Sequence, residues 1–237
     1  MYSTIKHHIV EEHFDHPAVL PPHIKEKLAN LGLLGLGPAD ELPLAVMNER
    51  TLVFRMDSRS AWARFSWSLL NYSISMNAQL PGTPQVETRL LKSATALGDF
   101  LIPYYGITAG NEFGDKLAAI AKVGAEVVDA VRDERSLDEF QTVWATLIDD
   151  LAVFLNELNP GNWPKILLVE LFTNLVTTWT AAIQARYNEE WDNNEEALEN
   201  LNKLVVTGIA DHANQGFSSI ADVVSRGIIA QYPSLFV

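Results

Sequence analysis

The sequence predicts an all-α fold, a multi-helix bundle of about six to seven helices preceded by an N-terminal arm of extended chain and short helices. From about residue 50 onward, apolar residues recur at the three- and four-residue spacing that places them on one face of a helix. Proline, glycine and capping residues divide these stretches at helix-length intervals. No stretch alternates polar and apolar residues over the length of a strand, so we expect no sheet.

The predicted arm comprises residues 1–45, and residues 46–237 form the predicted bundle domain. The arm holds five of the six histidines and five of the eleven prolines. Pro22 and Gly32 suit the start and the end of a helix near 22–31. One apolar stripe would follow this helix, and we expect it to need a packing partner. The stripe consists of Leu20, Ile24, Leu28 and Leu31.

The first half of the bundle contains three apolar stripes at helical spacing. The first predicts a helix near 57–77 and consists of Trp62, Phe65, Leu69, Tyr72 and Met76. Thr83 and Pro84 give a capping residue and an N1 proline for the second helix, which should end by Pro103. The third stripe runs from Leu117 to Val131.

The second half begins with the spacing of a capping box, Ser136 and Glu139, which predicts a helix up to Leu158. Asn162 could cap the next helix, which continues to about Asn188. A cluster of acidic residues then favours a further helix start, since negative charge stabilises a helix N-terminus. His212 follows the apolar face of that helix, and a last helix is predicted near 217–231.

The most apolar stretch, residues 166–183, contains Glu170 and Asn174. A membrane span needs about 20 nearly uncharged apolar residues, so we interpret this stretch as the central helix of the bundle. The first residues lack the basic start and apolar run of a signal peptide. The chain is therefore expected to have no membrane span; the compartment stays open, with the cytoplasm as the default.

Composition excludes several classes of function. The absence of cysteine excludes disulfides, cysteine-based metal sites and thiol nucleophiles. The formal net charge is −13, and no basic face of the kind that nucleic-acid binders carry is visible. We therefore expect neither nucleic acid nor an anionic membrane as a partner. No phosphate-binding loop, nucleophile elbow or kinase-type motif occurs either.

Five strings resemble a family of uncharacterised bacterial helical-bundle proteins, in consistent order from about residue 54 to the end. They are WARF at 62–65, VETRLL at 86–91, PYYG at 103–106, FLNELNP at 154–160 and GIIAQYP at 227–233. The resemblance implies a helical bundle and supplies no activity. It also implies that the family's histidines on its first, third and fifth bundle helices are replaced here by Arg59, Ile120 and Leu175, so that an inward metal or cofactor site is absent.

Two groups of residues are candidates for a site. His8, Glu12 and His16 would share a helix face in the arm and could bind a divalent metal, although a solvated, pH-sensitive arm is the simpler interpretation. Glu170 lies on a helix that is apolar nearly all round, so we expect it to be partly buried and ion-paired with Arg64 or Arg89. A catalytic or ligand-binding acid at Glu170 is the alternative.

Two classes of function are compatible with these observations. We expect a structural protein without catalytic activity or cofactor, which assembles with copies of itself through contacts of the N-terminal arm. The alternative is a metal- or small-molecule-binding bundle, either a binding protein or an enzyme, with a site among the helices near Glu170.

Overall fold

In a computed structural model of the chain, residues 48–208 and 219–237 are described, and 87% of them are helical with no strand. The described elements are α1 (Glu49–Asn77), α2 (Thr83–Arg132), α3 (Asp138–Leu158), α4 (Lys165–Tyr187), α5 (Trp191–Asn202), a π-helical turn (Lys203–Thr207), α6 (Ile220–Gln231) and a final 3-10 turn (Pro233–Phe236). The predicted all-α multi-helix bundle is confirmed. The predicted arm and His212 lie outside the described residues.

α1 is the central element, because it packs against α2 along most of its length and also against α6. The predicted stripe lies on its core face, where Trp62, Phe65, Leu69 and Tyr72 are buried. Trp62 brings three helices together: its ring lies 6.3 Å from those of Phe113 on α2 and Phe172 on α4, measured between ring centroids. Burial of these large side chains is the main stabilising contribution to such a core.

α2 consists of two helical segments joined at Gly106, whose φ of 84° lies in the region that favours glycine. A Cβ atom on Gly98 would overlap the carbonyl oxygen of Gly110 and would lie 3.2 Å from the amide nitrogen of Gly114. Residues 12 apart in one straight helix would be about 18 Å apart. The two segments therefore fold back on each other as an antiparallel pair. The predicted separation into two helices is confirmed, with the break at Gly106 instead of Pro103.

Two predicted helix caps are wrong. The Ser136 hydroxyl oxygen accepts a hydrogen bond from the backbone N–H of Asp138 (3.2 Å), so the box with Glu139 does not form. The reason is that Leu137 stands at the N-cap with helical backbone angles, which places Ser136 one residue too early. Asn162 does not cap α4; its Nδ2 donates to Oδ1 of Asn159 at 2.8 Å, and Pro164 precedes the first helical residue.

α1 ends in a Schellman motif at a residue other than glycine. Gln79 has a φ of 49°, and the N–H of Leu80 donates to the carbonyl of Ser75 at 3.0 Å. The same pattern follows α2 at Glu134 and α4 at Glu189, with φ values of 52° and 60°. Glycine is the usual residue at this position because a Cβ atom disfavours the left-handed conformation.

We therefore expect Gln79→Gly to raise the free energy of unfolding by roughly 0.5–1 kcal/mol. The control is Ala78→Gly, one residue earlier, where φ is −84°. There glycine relieves no strain and should lower the free energy of unfolding by about 0.5–1 kcal/mol, because it only increases the entropy of the unfolded chain. Urea denaturation measures the change in the free energy of unfolding for both variants. Changes of the same sign would contradict the assignment of a strained left-handed backbone to Gln79.

α4 is the one helix among the described residues that is long and apolar enough to cross a membrane, judged by length and composition alone. In this fold it has a buried face, which includes Leu168, Phe172 and Trp179, and an exposed face, which includes Ile166 and Glu170.

Candidate interaction surface on the first helix

α1 carries a second apolar face, opposite its core face. Its positions follow one another at intervals of three and four residues, the spacing of a helix–helix seam. We name this surface the α1 stripe; it consists of Val53, Met56, Ser60, Ala63, Trp67, Leu70 and Ile74. Val53, Met56 and Trp67 are 50%, 61% and 62% exposed. The remaining apolar members are half-buried and Ser60 is exposed.

The length of the α1 stripe distinguishes it from ordinary surface apolar residues. Single exposed apolar side chains are common on proteins, whereas a contiguous apolar patch marks an interaction site. With a rise of 1.5 Å per residue, the stripe from Val53 to Ile74 extends for about 30 Å. A surface of this shape matches the apolar face of another helix.

A buried carboxylate borders the α1 stripe. Asp222 on α6 is 1% exposed. Arg59 donates from Nε to its Oδ1 at 3.1 Å and from Nη2 to its Oδ2 at 2.8 Å. Arg55 donates from Nη2 to Oδ1 at 3.2 Å. The bidentate geometry of Arg59 is the strongest form of such a pair, so the interaction joins α6 to α1.

The pKa of Asp222 depends on two opposing effects. Burial by itself would raise the pKa, but the hydrogen bonds and positive charges of Arg59 and Arg55 outweigh it and hold the pKa below its ordinary value. The side chain of Ser219 also accepts a hydrogen bond from the backbone N–H of Asp222, at 3.1 Å, and caps α6. Asp222 is therefore ionised at neutral pH, and the first turn of α6 is fixed in place.

The charge of α1 differs from that of the whole chain. Two acidic residues, Glu49 and Asp57, and four arginines lie on this helix, in a chain with a formal net charge of −13. The arginines are Arg50, Arg55, Arg59 and Arg64. Arg55 and Arg59 bind the buried Asp222. Arg64, next to the α1 stripe, is exposed and takes part in none of the ion pairs of the described residues, so this part of α1 favours an acidic partner.

The predicted ion pair of Glu170 is wrong. Glu170 is exposed, and none of the ion pairs within residues 48–208 and 219–237 includes it. Arg64 and Arg89 are exposed too, and Nε of Arg64 donates to the carbonyl of Ser60 at 3.3 Å. The reason is rotation: at 100° per residue, Glu170 faces away from the buried Leu168 and Phe172.

The positions that the family resemblance associates with histidines have different surroundings. Ile120 and Leu175 are buried in the core, and Arg59 binds Asp222. No group of three or more histidine, aspartate or glutamate side chains suited to a metal occurs in the part of the chain that the structure describes. The candidate ligands His8, Glu12 and His16 lie outside that part, so metal binding by the arm stays a prediction.

A surface groove of about 520 Å³ lies between α2 and α3, away from Glu170. Glu112, Asp115 and Asp150 line it together with Lys116, whose Nζ lies 3.5 Å from Oε1 of Glu112 and 5.7 Å from the centre of the Phe154 ring. Glu170 is exposed and does not line this groove, and the alternative function, a binding bundle with a site near Glu170, stays a prediction.

Sequence reasoning missed both the α1 stripe and Asp222. The three- and four-residue spacing of the stripe is readable in the sequence, but the core stripe on the same helix has the same spacing. Asp222 shows the same sequence pattern that suggested burial of Glu170: each is a single carboxylate among the apolar residues of its helix. Its partners, Arg55 and Arg59, lie more than 160 residues away in the sequence.

No protein-family model, no curated protein and no solved structure matches the chain significantly. The resemblance to the bacterial helical-bundle family therefore stays a prediction.

Proposed function

We propose that this protein is a structural, non-enzymatic helical bundle that assembles with copies of itself through its N-terminal arm. One observation carries the proposal: the α1 stripe exposes Val53, Met56 and Trp67 along a single face of the central helix. The arm ends where α1 begins, and its own apolar residues need a partner surface. Two apolar surfaces that are separately exposed can bury each other when chains associate.

The magnitudes support association through these surfaces. Full burial of a side chain such as Met56 or Val53 contributes about 1.5–3 kcal/mol, and the larger Trp67 contributes at least as much. The four apolar residues of the predicted arm helix would add roughly 6–12 kcal/mol. The loss of translational and rotational freedom on association costs about 4–15 kcal/mol. The loss of conformational entropy when the arm becomes ordered adds to this cost. Burial of either surface alone falls short of these costs, so an assembly of this kind requires both surfaces to be buried together.

The test compares the mass of native assemblies for three proteins. Full-length protein is expected to be a homo-oligomer, whereas deletion of residues 1–45 and Trp67→Glu should each give monomers. Trp67→Glu should keep the helical circular dichroism of the full-length protein, and the truncated protein should remain predominantly helical. Both variants keep every buried core residue of the described ranges 48–208 and 219–237, because Trp67 is exposed and the deletion removes none of these residues.

The control is Ile166→Glu, which places the same charge on the exposed face of α4, where Ile166 is 85% exposed. This variant should keep the oligomeric state of the full-length protein. A monomeric full-length protein, or a truncated protein that keeps its oligomeric state, contradicts the proposed function.

A further inference from the structure

We propose that residues 20–31 of one copy bind as a helix along the α1 stripe of a neighbouring copy. This inference rests on the proposed function and specifies the surface, the occupant and the exchange between chains.

The shapes of the two surfaces are complementary. A helix of residues 20–31 would be about 18 Å long, which fits within the roughly 30 Å of the α1 stripe. Ser60 and Ala63 are the small side chains of the stripe, and they lie between the larger Met56 and Trp67. A leucine-sized side chain of the occupant can enter the space above them, as a knob enters a hole in a coiled coil.

The charges are complementary as well. Residues 1–47 contain six acidic residues and three lysines, so the segment is acidic. α1 carries four arginines and two acidic residues, so its own side chains have an excess of positive charge. Residues 20–31 themselves carry one acidic residue and two lysines, so the acidic charge offered to α1 comes from Glu11, Glu12 and Asp15, which precede the predicted arm helix. Opposite charges of this kind steer binding and select the partner.

The connecting segment is long enough for residues 20–31 to reach a neighbouring copy. Residues 32–47 join the arm helix to Asn48, and Pro38 and Pro43 bias the residues before them towards extended conformations. Sixteen extended residues span about 50 Å, whereas α1 with its 29 residues is about 43 Å long. A connection of this length can reach past the end of α1, so residues 20–31 can dock on the α1 stripe of a neighbouring copy.

The absence of cysteine from the chain makes disulfide trapping a direct test. Full-length Lys27→Cys protein, labelled with a heavy isotope, is mixed with unlabelled Ser60→Cys protein and oxidised mildly. Mass spectrometry then measures the disulfide-linked pair of one heavy and one light chain. We expect this pair to form readily, because Lys27 lies on the predicted arm helix and Ser60 lies in the middle of the stripe.

The matched control replaces Ser60→Cys with Thr173→Cys, an exposed position on α4. Its cross-linked pair should be at least about tenfold less abundant, since no docking raises the effective concentration of the two thiols. If the Ser60→Cys and Thr173→Cys proteins form equal amounts of the cross-linked pair while the protein still assembles, this inference is overturned and the proposed function stands. A Lys27→Cys, Ser60→Cys double variant that forms its disulfide within one chain overturns the exchange between copies. A monomeric full-length protein overturns both proposals.

Discussion

Asp222→Asn is expected to lower the free energy of unfolding by roughly 2–4 kcal/mol. The substitution keeps the shape of the side chain but removes the charge that Arg55 and Arg59 bind at the α1–α6 interface. Breaking a buried ion pair typically costs 3–5 kcal/mol. We expect slightly less here, because the side chains of Arg55 and Arg59 are 29% and 42% exposed and water screens their charges in part.

The control for Asp222→Asn is Asp149→Asn. Asp149 also binds a basic side chain, with 2.7 Å between its Oδ1 and Nζ of Lys165, but its side chain is 55% exposed. Surface pairs contribute about 0–1 kcal/mol, so this variant should be nearly as stable as the original chain. Urea denaturation at pH 7 measures both variants, and equal effects would show that Asp222 does not join α6 to α1.

The effect of Asp222→Asn should depend on pH only in acid. The pKa of Asp222 is lower in the folded protein than in the unfolded chain, where an aspartate has a pKa of about 3.9. The charged carboxylate therefore stabilises the fold fully above that unfolded-state pKa, and this contribution is lost as the pH falls through the folded-state pKa. The difference between the two proteins should be constant near neutral pH and should shrink below about pH 4.

Gly98→Ala is expected to lower the free energy of unfolding by about 2 kcal/mol or more. Two effects oppose each other at this position. Alanine is favoured over glycine in a helix by about 1 kcal/mol, but its Cβ atom would overlap the carbonyl oxygen of Gly110. Overpacking costs about 1–3 kcal/mol and occasionally more. Because the obstructing atoms are backbone and cannot rotate away, the two segments of α2 must separate, and the steric cost outweighs the helix propensity.

Gly161→Ala is the control for Gly98→Ala. No atom lies within 4 Å of a Cβ atom at Gly161, and its φ is not in the left-handed region. The change in stability should therefore stay within about 0.5 kcal/mol. Thermal unfolding of both variants measures the contrast. A Gly98→Ala protein that melts at or above the temperature of the original chain would contradict the close approach of the two segments.

Glu170 and Asp222 show where sequence reasoning reaches its limit. Each is a single carboxylate among apolar residues of one helix, and the sequence suggested burial for Glu170. The structure places Glu170 at the surface and buries Asp222 against Arg55 and Arg59. α4 is apolar on most sides, so its sequence does not distinguish the face that packs from the face that does not. Only the positions of α1 and α6 determine which carboxylate is enclosed.

The sequence by itself determined the helical class, the approximate extent of most helices and the break between the two segments of α2, because helix periodicity, glycine and proline act over three to five residues. Only the tertiary structure decided which of the two apolar faces of α1 enters the core, how closely Gly98 approaches Gly110 and which carboxylate is buried. Burial depends on residues far apart in the sequence, and the 163 positions that separate Arg59 from Asp222 carry no local signal of their contact.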